Sequence, residues 1–406
     1  MSARTWWING VVLVMLALSV TACREQVTGP GVCPDFCPPV RLQLIDTTLT
    51  GAVEREEWSR GYLSAYTAGT MQVVADPAGR NSVAVMRFLA FADSIQSGIG
   101  LLAIQSVDSL RFNLTLLGAT DGVADLELVL HRLPVNVDSL TTYDDIVAFI
   151  DDSTEIAAIP IVVSDTTDTL SAAVPPTAFP DFVADSLTVA IGVALRTASG
   201  GFANLASEQG ASSLQAPSVR RYVTADSAGT DVELSDLRRT RIDTFLYPDQ
   251  PDPGPDIVVV GGIPSARAFA RVRVPGRILD SASVSRATLL LLPERGALGG
   301  PGDTLLLQSF GLTADVGPKS PFFALPLDTI DRGLARVPVG STDTIRIDVT
   351  RILQTWQNDS SLPRAMLLRV SPEAGTTGEL WLRTSRSLTG APALRITYAP
   401  RFVAEP

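Results

Sequence analysis

Five sequence blocks occur twice in the same order, and this repetition constrains the fold more than any other feature. "LIDTTLTGA" (44–52) matches "RIDTFLYPD" (241–249), and "VVADPAGRNSVAVMRF" (73–88) matches "VVGGIPSARAFARVRV" (259–274). "SVDSLRFNLTLLG" (106–118) pairs with "SVSRATLLLLPERG" (283–296), and "SDTTDTL" (164–170) with "GSTDTIRI" (340–347). Both copies close alike, "QAPSVRRY" (215–222) against "GAPALRITY" (390–398). Ordered self-similarity marks a duplicated structural unit. The boundaries predict one copy over residues 41–223, a divergent one, and a second over 241–400, joined by a polar linker at 224–240.

Within each copy the pattern is that of strands. "VAVMRFLAF", "LRFNLTLL", "ELWLRT" and "PALRITY" alternate apolar and polar residues with period two, as half-buried strands do. Gly, Pro, Asp, Ser and Thr gather between the runs, where turns need them. The expected fold class is all-β: two tandem antiparallel β-sandwich domains, jelly-roll-like, each with at most one or two short helices. One helix is expected in "DVTRILQTWQND", where Val349, Ile352, Leu353 and Trp356 share a face behind a capping Asp348 or Thr350. A second is expected in "TTYDDIVAFIDD", on Ile146, Val147 and Ile150.

Residues 6–20, "WWINGVVLVMLALSV", follow Arg4 and contain no acid. The apolar core is short of the ~20 residues a membrane span needs, so residues 1–22 read as a secretory signal peptide. Its end, Val20-Thr21-Ala22-Cys23, resembles the bacterial lipobox. That resemblance implies lipid on Cys23, anchorage in the cell envelope and, with Arg24 following, the outer membrane. Residues 23–40 would then be a tether. In an exported chain Cys33 and Cys37 are expected to form a disulfide rather than a metal site.

The net charge of −11, without a basic stripe, argues against nucleic-acid partners. Lys319 is the only lysine, so every other basic side chain apart from the single histidine is a guanidinium. No organic cofactor is expected. "YPDQPDPGPD" supplies Asp249, Asp252 and Asp256, whose hard oxygens suit a structural calcium ion.

The second copy also resembles a named family. "IDTFLYPD", "SRATLLLLP", "DVTRILQTWQND…AMLLRV" and "WLRTSRSLTGAPALRITY" are similar to the DNRLRE-type domain, a secreted β-sandwich grouped with carbohydrate-binding modules. The first copy resembles it more loosely. The resemblance implies a sandwich that binds polysaccharide.

Catalysis has little in the sequence to rest on. His131 is the one histidine, no nucleophile-elbow, zincin or phosphate-loop motif is present, and the acid pairs Asp144–Asp145 and Asp151–Asp152 read as solvated turns. Sugar binding calls for aromatic rings, and Trp58, Tyr62, Tyr66 and Trp381 are the candidates for ligand stacking, whereas Trp356 belongs to a helix core. The expected function is therefore non-catalytic: a lipid-anchored envelope protein that binds glycans through a sandwich face. The alternative is a structural or assembly lipoprotein that binds other envelope proteins, and an uncharacterised hydrolase comes third.

Overall fold

The alternation in both repeats is realised as antiparallel sheet throughout a mostly β fold. The computed structural model describes residues 44–98, 100–133, 136–162, 168–178, 188–210, 215–227, 229–316 and 332–401. The signal peptide, Cys23, Cys33 and Cys37 lie outside the described residues. Among the described residues no helix is long and apolar enough to cross a membrane.

The first repeat supplies β3 (Thr70–Ala75), β4 (Val83–Leu89), β5 (Ser94–Ser97), β6 (Gly100–Ala119), β7 (Glu127–Leu133), β8 (Glu155–Pro160), β9 (Asp168–Val174), β10 (Thr188–Arg196), β11 (Gly201–Ala206) and β12 (Ser218–Ser227). With β13 (Thr230–Leu246) they form an 11-stranded sheet in the order β3-β11-β6-β12-β13-β4-β10-β7-β8, with β5 and β9 also on β6. Of the stretch 224–240, set apart in the sequence as a linker, residues 224–227 and 230–240 are thus strand. Ser227 pairs with Thr230 in a tight hairpin and the pairing continues to Ser218 opposite Arg239. At Thr240 the register shifts, and the rest of β13 pairs with β4 instead, Leu246 opposite Val83. That shift carries β13 from one half of the sheet to the other. Apolar residues of both halves then meet in one core, where Phe88 and Phe112 pack edge to face at 6.2 Å.

The second repeat supplies β14 (Ile257–Gly261), β15 (Ala266–Val272), β16 (Ala282–Leu291), β17 (Thr304–Gly311), β18 (Arg332–Pro338), β19 (Ile345–Asp348), β20 (Ala365–Ser371), β21 (Glu379–Arg383) and β22 (Ala393–Pro400). Two strands from the start of the chain, β1 (Ile45–Thr50) and β2 (Val53–Arg60), join them. β1 is the edge of a four-stranded sheet, β1-β22-β16-β19, with Ile45 opposite Tyr398 and Thr50 opposite Ala393. β2 pairs with β15 in a seven-stranded sheet, β18-β17-β20-β15-β14-β21. The first strands of the chain are therefore built into the second repeat's sheets, and "RIDTFL", the start of the second repeat, is built into the first's. One core lies between the two sheets, with Leu289, Ile347 and Ile396 on one side and Val260, Leu307 and Leu368 on the other.

The helix expected over "DVTRILQTWQND" is present at Thr350–Asn358, but its N-cap is Val349, without a side-chain cap, rather than Asp348 or Thr350; Asp348 accepts the Thr350 amide at 2.9 Å from just outside the helix. Ile352, Leu353 and Trp356 are buried in the core between the sheets, as their spacing predicts. Near residue 143 only a short turn forms, Tyr143–Ile146 running into a 3-10 turn at Val147–Phe149. Ile146 is buried there but Val147 is exposed, because the tighter winding moves it off the apolar face. Asp145 accepts the Thr142 amide at 2.8 Å and Asp151 the Ser153 amide at 2.8 Å, so these acids organise turns.

The repeats are also joined through Gln72, which is buried on β3. Its amide nitrogen donates to Asp303 at 2.8 Å, and its oxygen accepts from the Thr377 amide, at 2.7 Å, and from the hydroxyls of Thr376 and Thr377. Gly300 presses so closely on the first repeat that an added Cβ would lie 2.6 Å from the Cβ of Phe202.

Candidate ligand-binding face

Three of the four aromatic candidates lie in or beside the seven-stranded sheet: Trp58 on β2, Tyr62 just after β2, and Trp381 on the edge strand β21. Trp58 and Trp381 belong to one apolar cluster with Val259, Ala266 and Ile257, and Trp58 also packs against the core between the sheets. Trp381 is only 9% exposed, because Leu380 and Leu382 claim the core side and the ring must lie on the opposite face. The Arg295 guanidinium lies 3.4 Å from its ring centroid, and its indole N–H donates to Glu379. Trp58 is half-buried with Arg60 stacked at 5.4 Å, and Tyr62 lies under Arg267 at 3.0 Å. Tyr66 is not part of this group. Its hydroxyl donates to the Asp138 carbonyl, and burial raises the phenol to about 12.

Carboxylates hold the stacked guanidinium groups in place. Glu379, 1% exposed, takes Arg60 in a fork at 2.7 and 3.1 Å, and Glu373 takes Arg267 through Nη2 at 2.7 Å and through Nε. Burial lowers the pKa of Arg295, opposed by the charge of Glu379, and its Nε and Nη2 have no protein partner. Each of these three rings is thus stacked by an arginine of the same arginine–carboxylate network.

The structure does not gather the calcium candidates Asp249, Asp252 and Asp256. Among the described residues no three acidic, His or Cys side chains come together, and the Asp256 carboxylate faces Arg386 at 3.7 Å. His131 is buried on β7, its Nδ1 3.1 Å from the Thr154 hydroxyl, with Glu155, Asp151 and Arg196 as the charged groups around it. Desolvation lowers its pKa, so folding favours the neutral ring. The unfolded chain, with an ordinary histidine pKa of about 6.5, takes up a proton that the folded chain resists. Stability is therefore full above that value and falls as the pH drops through it. Urea melts between pH 8 and 5.5 are expected to show this fall in the wild type and a flatter profile in His131→Gln.

A polar surface forms on the outer face of the four-stranded sheet. Alternation sends Leu289, Ile347, Leu394 and Ile396 into the core and turns their neighbours outward. Cross-strand register then aligns Thr48, Arg395, Thr288 and Asp348 in one row across all four strands. The next row holds Asp46, Thr397 and Arg286, and on the other side Leu290 stands opposite Arg346. With Thr344 and Leu334, the central side chains line an open groove of ≈ 530 Å³. A second cleft of ≈ 850 Å³ shares Arg286, Leu334 and Asp348 with it and adds Arg332, Arg351 and Gln354.

Charge is segregated here. Five arginines (Arg286, Arg332, Arg346, Arg351 and Arg395) face Asp46 and Asp348 on a chain whose net charge is −11. Arg395 binds Asp46 through Nε at 3.1 and 3.2 Å and lowers the pKa of that carboxyl. Arg286 and Arg346 make no ion pair among the described residues, so their donors are open to a ligand. Guanidinium forks and threonine hydroxyls suit a ligand rich in hydroxyl and carboxylate oxygens. In the sequence these residues are only the polar members of alternating strands; the register across four strands, two of them from opposite ends of the chain, makes them one surface. Compared with known proteins, the chain matches no protein-family model and no curated protein.

Proposed function

We propose that this protein is a non-catalytic, lipid-anchored envelope protein that binds glycans through the outer face of its four-stranded sheet. In this reading Cys23 carries the lipid and each repeat forms a sandwich resembling the DNRLRE-type module, with strands exchanged between the two. The observation that carries the proposal is the Thr48–Arg395–Thr288–Asp348 row with Arg286 and Arg346 beside it, an open groove of ≈ 530 Å³ on an otherwise acidic chain. Such a surface offers directional donors to sugar hydroxyls and acids, and it draws anionic ligands against the overall charge.

The purified protein on a polysaccharide array is expected to bind one glycan class. Replacing Arg346 and Arg395 together by Ala should weaken that binding roughly 10-fold or more, the effect of losing charged hydrogen bonds worth at least 1.4 kcal/mol. Trp58→Phe should leave it unchanged. An array without a bound glycan, from protein with a cooperative melt, would contradict the proposal. It would favour the second reading, an assembly lipoprotein that binds other envelope proteins, which the occupied rings at Trp58, Tyr62 and Trp381 support.

A further inference from the structure

The ≈ 850 Å³ cleft beside the groove differs from it in composition and points to a narrower chemistry. The groove is lined by threonines around Arg286, Arg346 and Arg395, whereas the cleft is lined by Arg286, Arg332 and Arg351 with Asp348 as its only acid. All three guanidinium groups are exposed, and none makes an ion pair among the described residues. The uncharged polar side chains are already engaged. The Gln354 amide donates to the Val284 carbonyl at 3.0 Å, and the Thr350 hydroxyl accepts the Ala287 amide at 2.8 Å. The Asp348 carboxylate accepts the Thr350 amide through Oδ1. That leaves arginines as the free donors and a local excess of two positive charges, three arginines against one aspartate.

We infer that Arg286, Arg332 and Arg351 bind a compact oxyanion with three terminal oxygens: a phosphate or sulfate monoester on the glycan. Such a group carries three terminal oxygens, so several guanidinium forks can engage it at once, and the double charge of a phosphate ester matches the excess in the cleft. A carboxylate has only two oxygens and would offer the three guanidinium groups fewer acceptors. Arg286 lines both spaces, so a sugar in the groove can present its ester to the cleft without a break. The inference rests on the glycan reading for the source of the ester, but not for the anion itself.

The test is titration calorimetry of the whole protein with sodium sulfate and with inorganic phosphate, against sodium chloride of equal ionic strength. Saturable binding of either dianion is expected. It should weaken roughly 10-fold or more in Arg332→Gln and in Arg351→Gln, two exposed substitutions outside the core, and persist in Arg239→Gln, an exposed arginine on β13. A sulfated polysaccharide should bind more tightly than its desulfated form, and the difference should vanish in Arg351→Gln. Heat indistinguishable from chloride, or unchanged affinity in both cleft variants, would overturn the inference. Vesicles containing phosphatidic acid form a further arm. Binding to them but not to the sulfated polysaccharide would overturn the glycan ester and assign the cleft to a lipid headgroup. Sulfate binding with an empty polysaccharide array would sink the glycan reading and leave the anion site standing; a glycan bound equally well with and without sulfate would do the reverse.

Discussion

A chain cut to residues 241–400, the second repeat as the sequence delimits it, is expected not to fold on its own. It lacks β1 and β2, which close both sheets of its core. Ala52 and Val53 are 3% and 2% exposed, and Ile45, Leu49 and Trp58 pack against the same cluster. At about 1.5–3 kcal/mol for each large apolar side chain, their loss removes roughly 5–10 kcal/mol. Domains of ordinary size have only about 5–15 kcal/mol of stability in total. The cut also bares the edges of β22 and β15, a route to aggregation, and leaves residues 241–246 without their partner β4. Adding a peptide of residues 44–60 in trans should restore a cooperative urea transition. A sharp transition from residues 241–400 alone would show that the exchange is dispensable.

The second large effect is expected at Glu379. Glu379→Gln keeps the size of the side chain but removes the charge that faces Arg60 and Trp381 in a site almost closed to water. Breaking one side of a buried pair costs about 3–5 kcal/mol, because the remaining charge stays desolvated. Arg295 stands close by with two buried N–H groups that have no protein partner, so the loss should reach the upper part of that range. Glu54→Gln provides the contrast. Its pairing with Arg273 at 3.2 Å is solvent-exposed, and its removal should change stability by less than about 1 kcal/mol. Urea denaturation of the two variants, compared at neutral pH, measures the difference directly. Equal effects would mean that the Glu379 network contributes no more than a surface pair.

Much of the secondary structure was legible because periodicity is local. The spacing of Ile352, Leu353 and Trp356 identifies a helix face, and the alternation in "ELWLRT" separates Trp381 from Leu380 and Leu382. Strand partners were not legible. Alternation assigns each side chain to a face but does not say which strand lies alongside. The two "IDT" blocks are nearly equivalent chemically, so nothing local tells "IDTTLT" to pair with β22 at the far end of the chain. For the same reason Trp58, inside the charged run "VEREEWSR", looked like an exposed ring. In the fold that run is a strand, and Arg60 next to it meets Glu379 from 319 residues away. The Thr48–Arg395 pairing, on which the binding face depends, is likewise a product of the exchange.

The central claim is that the ligand lies on the four-stranded sheet and not on the aromatic cluster, and hydrogen exchange read by mass spectrometry tests it most directly. With the glycan identified on the array, added protection is predicted in peptides covering 284–291, 345–351 and 393–398, with none in peptides covering 58–66 and 379–383. Protection centred on Trp58, Tyr62 and Trp381, with the four-stranded sheet unchanged, would contradict the account and return the site to the aromatic side chains.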